Sequence, residues 1–121
     1  MSFQGKSLGQ TGEKLAANLL RAKKLQILAT NLQTKFGEID ILARDGQQLV
    51  VVEVKAKTSA RYGAAIEMIT HAKQRKLILL AHELQAKHQT DGVRIDIITV
   101  DNAQSENPII KHHKGLIEFN G

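Results

Sequence analysis

Two short segments in the middle of the chain carry ionisable residues at a spacing that could support chemistry. Gly37-Glu38-Ile39-Asp40 is continued twelve residues later by Val52-Glu53-Val54-Lys55. The apolar runs around them flank Asp45-Gly46-Gln47-Gln48, and this pattern predicts two antiparallel strands joined by a short turn. Three acids and a lysine therefore lie on a strand pair that is apolar almost everywhere else.

The facing of these side chains follows from parity, because successive residues of a strand point to opposite faces of the sheet. A four-residue loop sets Asp40 opposite Glu53 and Glu38 opposite Lys55, and a two-residue loop shifts the partners by one step. Either loop leaves all four side chains on one face. A three-residue loop without a bulge would scatter them. The other face is then expected to carry an apolar set, namely Ile39, Ile41, Val50, Val52 and Val54.

Acids placed so closely need a compensating charge. Two carboxylates about 4 Å apart repel each other by roughly 4 kcal/mol at an effective dielectric constant near 20. Mg²⁺ or Mn²⁺ would remove this penalty and take further ligands from water and a phosphate. Lys55 could orient or deprotonate an attacking water, or neutralise the reacting phosphate. The pattern predicts metal-assisted hydrolysis of a phosphodiester. The alternative is that these charged residues simply lie on the solvent side of a half-exposed strand and have no catalytic role.

Length, charge and cysteine content limit the class of protein. The chain has 121 residues, so we expect one domain over 1–121, and three Phe, one Tyr and no Trp predict an aliphatic core. Seventeen basic residues against twelve acids give a net charge of +5, which favours a polyanionic partner or serves solubility alone. The absence of cysteine excludes disulfides and thiolate metal sites and fits a reducing compartment.

Targeting signals are missing from the sequence. No apolar stretch approaches the roughly 18 residues of a membrane span, and the first six residues lack a signal-peptide core. We therefore expect a cytoplasmic protein without a membrane partner. Residues 1–9 are polar and contain glycine, which predicts a flexible arm.

The first helix is predicted from Gln10 through Lys24, with Thr11 or Gln10 as its cap. Glu13 falls in its first turn, where the helix dipole favours an acid by roughly 0.3 to 1 kcal/mol. It could equally complete the acidic cluster from a neighbouring helix, and the residue pattern leaves both open. A strand over Ile27 to Leu32 is expected next.

Two polar segments are candidates for contacting nucleic acid. Gln33 and Lys35 stand just ahead of the hairpin, in a position to meet a backbone phosphate. After the hairpin, Lys57 and Arg61 could contact phosphates while Tyr62 stacks on a base. The alternative for both segments is a solvated connection.

A long helix is predicted from Ala64 or Ala65 to Lys87, with Lys73 on its apolar stripe. Lys73 either reaches out to water or points toward the acids. The β-like run 93–100 that follows implies a crossover and hence a mixed sheet. Arg94 and Asp96 share a face there and are expected to pair, so Asp96 is not assigned a catalytic role.

A short edge strand is expected over Ile109 to His112. His112 and His113 are adjacent, so in a strand their side chains point opposite ways and do not favour a shared metal. The remaining histidines lie on or beside the long helix without acidic partners at ligand spacing, and we expect them at the surface: His71, His82 and His88.

The order of these elements and acids resembles the PD-(D/E)xK nuclease superfamily, and more closely its YraN-like family of predicted endonucleases. The matching residues run through nearly the whole chain: Gly9-x-x-Gly12-Glu13, Asn31, Gly37-Glu38-Ile39-Asp40-Ile41, Val52-Glu53-Val54-Lys55, Lys73, Ala81 and Arg94-x-Asp96. The resemblance implies a restriction-endonuclease-like α/β fold, an α-β-β-β-α-β core whose mixed sheet is flanked by helices. It also implies that Glu13, Asp40 and Glu53 hold Mg²⁺ or Mn²⁺ and that Lys55 serves the water.

Three functional hypotheses follow from the sequence. The first is a Mg²⁺-dependent DNA endonuclease, with branched or damaged DNA as candidate substrates because Holliday-junction resolvases of similar size share this arrangement. A homodimer would suit the cutting of two strands, although no interface is evident. The second is a nucleic-acid-binding module of the same fold that acts without turnover in a repair or recombination complex. The third, RNA as the substrate, is equally compatible with the charge.

Overall fold

A five-stranded mixed sheet with a helix on each face forms the body of the protein. The computed structural model describes residues 7–59, 61, 63–90 and 92–117. Its elements are α1 Leu8–Ala22, β1 Gln26–Thr34, β2 Gly37–Asp45, β3 Gln48–Ala56, a 3-10 helix Ala65–Met68, α2 His71–His88, β4 Val93–Asp101 and β5 Ile109–Ile117. The expected α-β-β-β-α-β order is confirmed, and β5 follows it.

The strands stand in the order in which they occur along the chain, β1-β2-β3-β4-β5. All neighbouring pairs are antiparallel except β3 and β4, which are parallel. A parallel pair needs a crossover, and α2 supplies it. The mixed sheet predicted from the helix between the two strands is therefore confirmed.

The core is aliphatic and lies in two layers. The largest fully buried side chains are all Leu, Ile or Val, as the scarcity of aromatic residues predicted. One layer packs against α2 and includes Leu42, Val51, Leu77, Leu80, Ile95 and Ile97. The other packs against α1 and includes Ala16, Leu20, Ile41, Val50, Val52 and Ile98. Because both faces are covered, successive residues of the central strands are buried.

The turn of the β2–β3 hairpin is shorter than the four-residue loop. Arg44 pairs with Leu49 as the four-residue loop requires, but Asp45 also pairs with Gln48, so the turn is only Gly46 and Gln47. Gly46 adopts φ +62°, a conformation that glycine takes at no steric cost. The register from Arg44 to the centre of the hairpin is therefore the predicted one.

The expected face of Ile39 was wrong. Ile39 packs in the α2 layer, whereas Ile41, two residues further on, packs in the α1 layer. The β2–β3 ladder ends at the pair Ile41 and Val52, and Asn31 of the neighbouring strand β1 has φ +50°. Strict alternation breaks where β2 leaves β3, so parity does not extend to Ile39.

Helix α1 begins earlier than expected, at Leu8. Ser7 caps it, because its hydroxyl accepts the backbone N–H of Gln10 while the Gln10 side chain accepts the N–H of Ser7. The helix ends at Ala22, and Lys24 turns into the left-handed region with φ +71°. The predicted flexible arm 1–9 was therefore wrong for residues 7–9, which form the cap and the first turn of α1, and residues 1–6 lie outside the described residues.

The expected long helix is interrupted, so its predicted start at Ala64 or Ala65 was wrong. A 3-10 turn over Ala65–Met68 precedes α2, which begins at His71 with Thr70 as its cap. The N–H of Ala65 donates to the Asp101 carboxylate at 2.9 Å, a bond to a distant strand. This hydrogen bond fixes the backbone at the start of the 3-10 turn, and α2 begins only after that turn.

Strand β5 is longer than the predicted run of four residues, and a buried ion network attaches it to the sheet. The Asp96 carboxylate is fully buried and accepts bonds from Arg94 Nε at 2.8 Å, from the Gly115 N–H at 2.8 Å and from His112 Nε2 at 2.7 Å. Burial acts to raise the pKa of Asp96, but the Arg94, Gly115 and His112 bonds outweigh it and the pKa is lowered. The predicted Arg94–Asp96 pair is confirmed.

The histidines stand as expected. His112 contacts Asp96, whereas the adjacent His113 contacts Thr99 at 3.1 Å, so the two imidazoles do not converge. His71, His82 and His88 are exposed. Neither α1 nor α2 combines the length and apolar composition that a bilayer crossing demands.

Two glycines of α1 provide a matched test of how closely this helix approaches the sheet. A Cβ on Gly12 would lie 2.7 Å from the Ala56 Cβ, whereas a Cβ on Gly9 would meet nothing within 4 Å. Gly9→Ala should stabilise by about 0.5 to 1 kcal/mol through helix propensity. Gly12→Ala gains the same propensity but should lose about 1 to 3 kcal/mol to overpacking. Urea unfolding measures the difference, and equal gains would contradict the close approach.

Candidate active site

Glu53 is a carboxylate buried within an apolar strand. Its side chain is 3% exposed, and it points to the α2 face of β3, one residue past the end of the β2–β3 ladder. Two ammonium groups approach its Oε2 atom: Lys73 Nζ at 3.2 Å and Lys55 Nζ at 3.7 Å. The contact from Lys73 confirms that this lysine of α2 points toward the acids.

The electrostatic surroundings of Glu53 oppose its ionisation. Burial is the largest effect and raises its pKa, and the nearby Asp40 carboxylate raises it further. Lys73 and Lys55 act in the opposite direction but do not cancel these effects, so the pKa of Glu53 lies at about 7. A carboxyl group with such a pKa changes its protonation near neutral pH, as acid–base and ligand groups of active sites often do.

Asp40 is fixed in the opening between β2 and β3. Its Oδ2 atom accepts the backbone N–H of Val54 at 2.8 Å. The β2–β3 ladder has already ended at Ile41 and Val52, so the Asp40 carboxylate takes the place of a strand carbonyl. This bond and the effect of Asp40 on Glu53 show that the hairpin brings the two carboxylates together as predicted.

Glu13 reaches this region through Asn31. The Asn31 amide Nδ2 donates to Glu13 Oε1 at 3.0 Å. The flanking pairs Thr30–Ile41 and Leu32–Ile39 set Asn31 across from Asp40 on the adjacent strand. Asn31 adopts φ +50°, which Asn tolerates better than most residues. Asn31 therefore links α1 to the acidic end of β2.

The acids do not form a closed ligand cage. Among the residues that the structure describes, no group of three or more acidic, histidine or cysteine side chains could hold a metal ion directly. Asp40 and Glu53 form a pair, and Glu13 stands beside Asn31. Two carboxylates are nevertheless a sufficient protein contribution for Mg²⁺, which usually completes its shell with water and substrate phosphate. The donor set fits a hard divalent cation.

Glu38 was wrongly expected to lie opposite Lys55. It is exposed, and its Oε2 atom accepts from Gln33 Nε2 at 3.1 Å on the neighbouring strand β1. The cause is again the end of the β2–β3 ladder, beyond which Glu38 has no partner on β3. Glu38 therefore belongs to the β1–β2 pair rather than to the Glu53 cluster.

The predicted nucleic-acid contacts fall in two places. Gln33 and Lys35 line a cavity of about 230 Å³ between β1 and α2, and Lys35 Nζ lies 5.3 Å from the Phe36 ring centroid. After β3, Lys57 Nζ donates to the Gly63 carbonyl at 2.7 Å, and the Arg61 N–H donates to Ser59 Oγ at 3.0 Å. Tyr62 lies outside the described residues.

Sequence reasoning missed the bond between Asn31 and Glu13. Asn31 is a polar residue ahead of the hairpin, and nothing in the local pattern connects it to a helix residue 18 positions away. One signal was available, because Asn is depleted in strands and enriched where the backbone turns left-handed. An Asn within an otherwise strand-like run indicates such an irregularity.

Comparison with solved structures gives a fold neighbour. The structure of an EndoMS–dsDNA2 complex matches with a TM-score of 0.51 and 18% sequence identity, over 86% of this chain and 43% of that chain. At this identity the likeness concerns the fold. It agrees with the α/β architecture described above.

Sequence comparison identifies relatives along nearly the full length. A UPF0102 protein of Renibacterium salmoninarum is 45% identical over 112 residues, which cover 90% of this chain and 94% of the relative. A UPF0102 protein of Geobacter metallireducens is 41% identical over 121 residues, 98% of each chain. The model of "Uncharacterised protein family UPF0102" matches residues 12–100, and these include Glu13, Asp40, Glu53 and Lys55. The chain therefore belongs to the UPF0102 family.

Proposed function

We propose that this protein is a metal-dependent endonuclease that hydrolyses phosphodiester bonds in DNA. One observation carries the proposal: the buried Glu53 carboxylate lies beside Asp40 with two lysine ammonium groups on it. The arrangement Asp40 … Glu53-x-Lys55 on an α-β-β-β-α-β core supports a site of the PD-(D/E)xK type. A buried carboxylate needs paired charges or a metal ion to offset its desolvation, and a perturbed pKa beside specific charges favours a functional site.

Asp40 and Glu53 are the residues that would hold the metal, and Glu13 would approach the same cation from α1. Asp40 is already oriented by the Val54 N–H, so binding would require little rearrangement of that side chain. A bound Mg²⁺ or Mn²⁺ would neutralise charge on the scissile phosphate and make water more acidic. The positive field of the cation would also offset the burial penalty that Glu53 carries.

Lys55 is placed to serve the attacking water. Its ammonium group lies 3.7 Å from Glu53 Oε2, so it stands at the same site as the proposed ligands. From there its Nζ can donate to the water or to the phosphate oxygen that gains charge during attack. Lys73, on α2, contacts the same Oε2 atom of Glu53 at 3.2 Å and would keep the carboxylate oriented.

DNA is the partner that we propose for this site. The net charge of +5 favours a polyanion, and the fold neighbour was solved as a complex with dsDNA. Branched or damaged DNA is the substrate class that we expect to be cut best. A nucleic-acid-binding module without turnover is the competing function, since Lys73 and Lys55 offset part of the burial cost of Glu53 without a metal.

The proposal is tested by incubating the protein with branched, nicked, single-stranded and duplex DNA, and with RNA, in Mg²⁺ or Mn²⁺. Lys55→Ala should lower cleavage by about 10²- to 10⁴-fold, the usual contribution of a positioned acid–base group. Lys111→Ala, on the exposed side of β5, is the control and should cleave like the wild type. Binding without cleavage by the intact protein would favour the competing module.

The raised pKa of Glu53 predicts an unusual pH dependence of stability. Between its ordinary pKa of 4.5 and about 7, the folded protein binds the proton that the unfolded chain releases, so stability falls as the pH rises through this window. In the presence of EDTA, Glu53→Gln should therefore stabilise the protein at pH 8 by about 3 kcal/mol more than at pH 4. Urea unfolding at both pH values measures this, and Mn²⁺ should stabilise only the wild type. A pH-independent effect would contradict the assignment.

Asn31 should influence metal affinity through Glu13. Asn31→Gly keeps the left-handed backbone accessible but removes the amide that holds Glu13 Oε1. Mn²⁺ affinity, measured by calorimetry without DNA, should fall about 10-fold, as it does when supporting residues of metal ligands are removed. Asn102→Gly, at φ +54° in the turn after β4, is the matched control. Unchanged affinity in both Asn31→Gly and Glu13→Gln would remove Glu13 from the metal site.

A further inference from the structure

Helix α2 has an excess of basic residues over acidic ones. It contains four basic residues, Lys73, Arg75, Lys76 and Lys87, against the single acid Glu83, a net charge of +3 of the +5 on the whole chain. Lys76 and Lys87 are exposed, whereas Lys73 is directed inward to Glu53. The exposed side of this helix therefore presents a strong positive potential next to the candidate active site.

The turn between β1 and β2 lies against the same helix. The Lys76 side chain runs so close to Gly37 that its Cε atom is 2.6 Å from where a Cβ on that glycine would be. Gly37 also has φ +128°, so a residue with a side chain would be strained there, whereas the end of the Lys76 side chain could move aside. Further along α2, the cavity of about 230 Å³ is lined by Lys87 and Glu83 of the helix and by Lys35 of the turn between β1 and β2. We call this contact line, with Lys35, Lys76 and Lys87, the α2 seam.

The α2 seam is continuous with the site. Lys73, which contacts Glu53, stands one turn before Lys76 on the helix. Fourteen residues separate Lys73 from Lys87, which corresponds to about 21 Å along a helix that rises 1.5 Å per residue. A duplex rises about 3.4 Å per base pair along its axis, so the seam is as long as roughly six base pairs of duplex.

We infer that the sugar-phosphate backbone of the substrate runs along the α2 seam, contacted by Lys35, Lys76 and Lys87, and enters the active site past Lys73. The inference rests on the proposed function, because it takes DNA as the partner. Exposed lysines contact phosphates as point charges and release counterions, so they supply affinity without sequence preference. Glu83 opposes this attraction from within the cavity.

The test compares two triple variants that lose the same charge. Lys35→Ala/Lys76→Ala/Lys87→Ala removes the seam, and Arg21→Ala/Lys111→Ala/Lys114→Ala removes three exposed basic residues on α1 and β5. Binding of fluorescent duplex and branched DNA is measured in EDTA from 50 to 200 mM salt, so that cleavage does not interfere. The seam variant should bind at least about 10-fold more weakly, with a log–log salt slope shallower by about 2 to 3. The control should stay within about twofold of the wild type.

A substitution that removes a negative charge provides a second test. Its expected effect is tighter binding, which damage to folding would not produce. Glu83→Gln removes the acid of the cavity and should tighten binding about twofold and steepen the salt slope. Equal losses in the two triple variants, or no gain from Glu83→Gln, would overturn the α2 seam while leaving the nuclease proposal intact. No binding of the wild type to any DNA would overturn both.

Discussion

The central constraint in this structure is a carboxyl group, that of Glu53, that is almost completely buried in the sheet. Glu53 occupies a strand position whose neighbours Val52 and Val51 are fully buried, and a lone carboxylate there would cost several kcal/mol. The fold meets this cost with cations from two directions, Lys55 from the same strand and Lys73 from α2. The placement of α2 on that face of the sheet is therefore tied to the charge as well as to the apolar layer beneath it.

The second requirement is an opening in the sheet beside that charge. Strand β2 pairs with β3 only from Ile41 onward. Asp40, the residue before, fills the opening by accepting the Val54 N–H. Had the ladder continued, that N–H would have been satisfied by backbone and the carboxylate would have had no fixed direction. The same divergence exposes Glu38 and redirects Ile39. A local loss of strand pairing thus creates the space in which a ligand could meet both acids.

Much of this arrangement could be predicted because it depends on local patterns. The apolar alternation and the Asp-Gly turn predict the hairpin register, and the apolar stripe of α2 places Lys73 toward the sheet. The facing of Ile39 and the start of α2 could not be predicted. The first depends on where the ladder ends, and the second on a bond from Ala65 to Asp101, 36 residues away. Neither feature can be recognised from the residues that are adjacent in the sequence.

The buried Asp96 network has a consequence for how sequences in the family can diverge. One carboxylate is shared by Arg94, His112 and the Gly115 backbone, and Lys23, the residue after α1, extends the network through its Nζ atom, 2.9 Å from His112 Nδ1. Replacing one partner alone leaves a buried charge uncompensated, so these positions should change together or not at all. In an alignment such joint constancy would imitate the signature of a catalytic acid. Here it records only how the last strand is attached to the sheet.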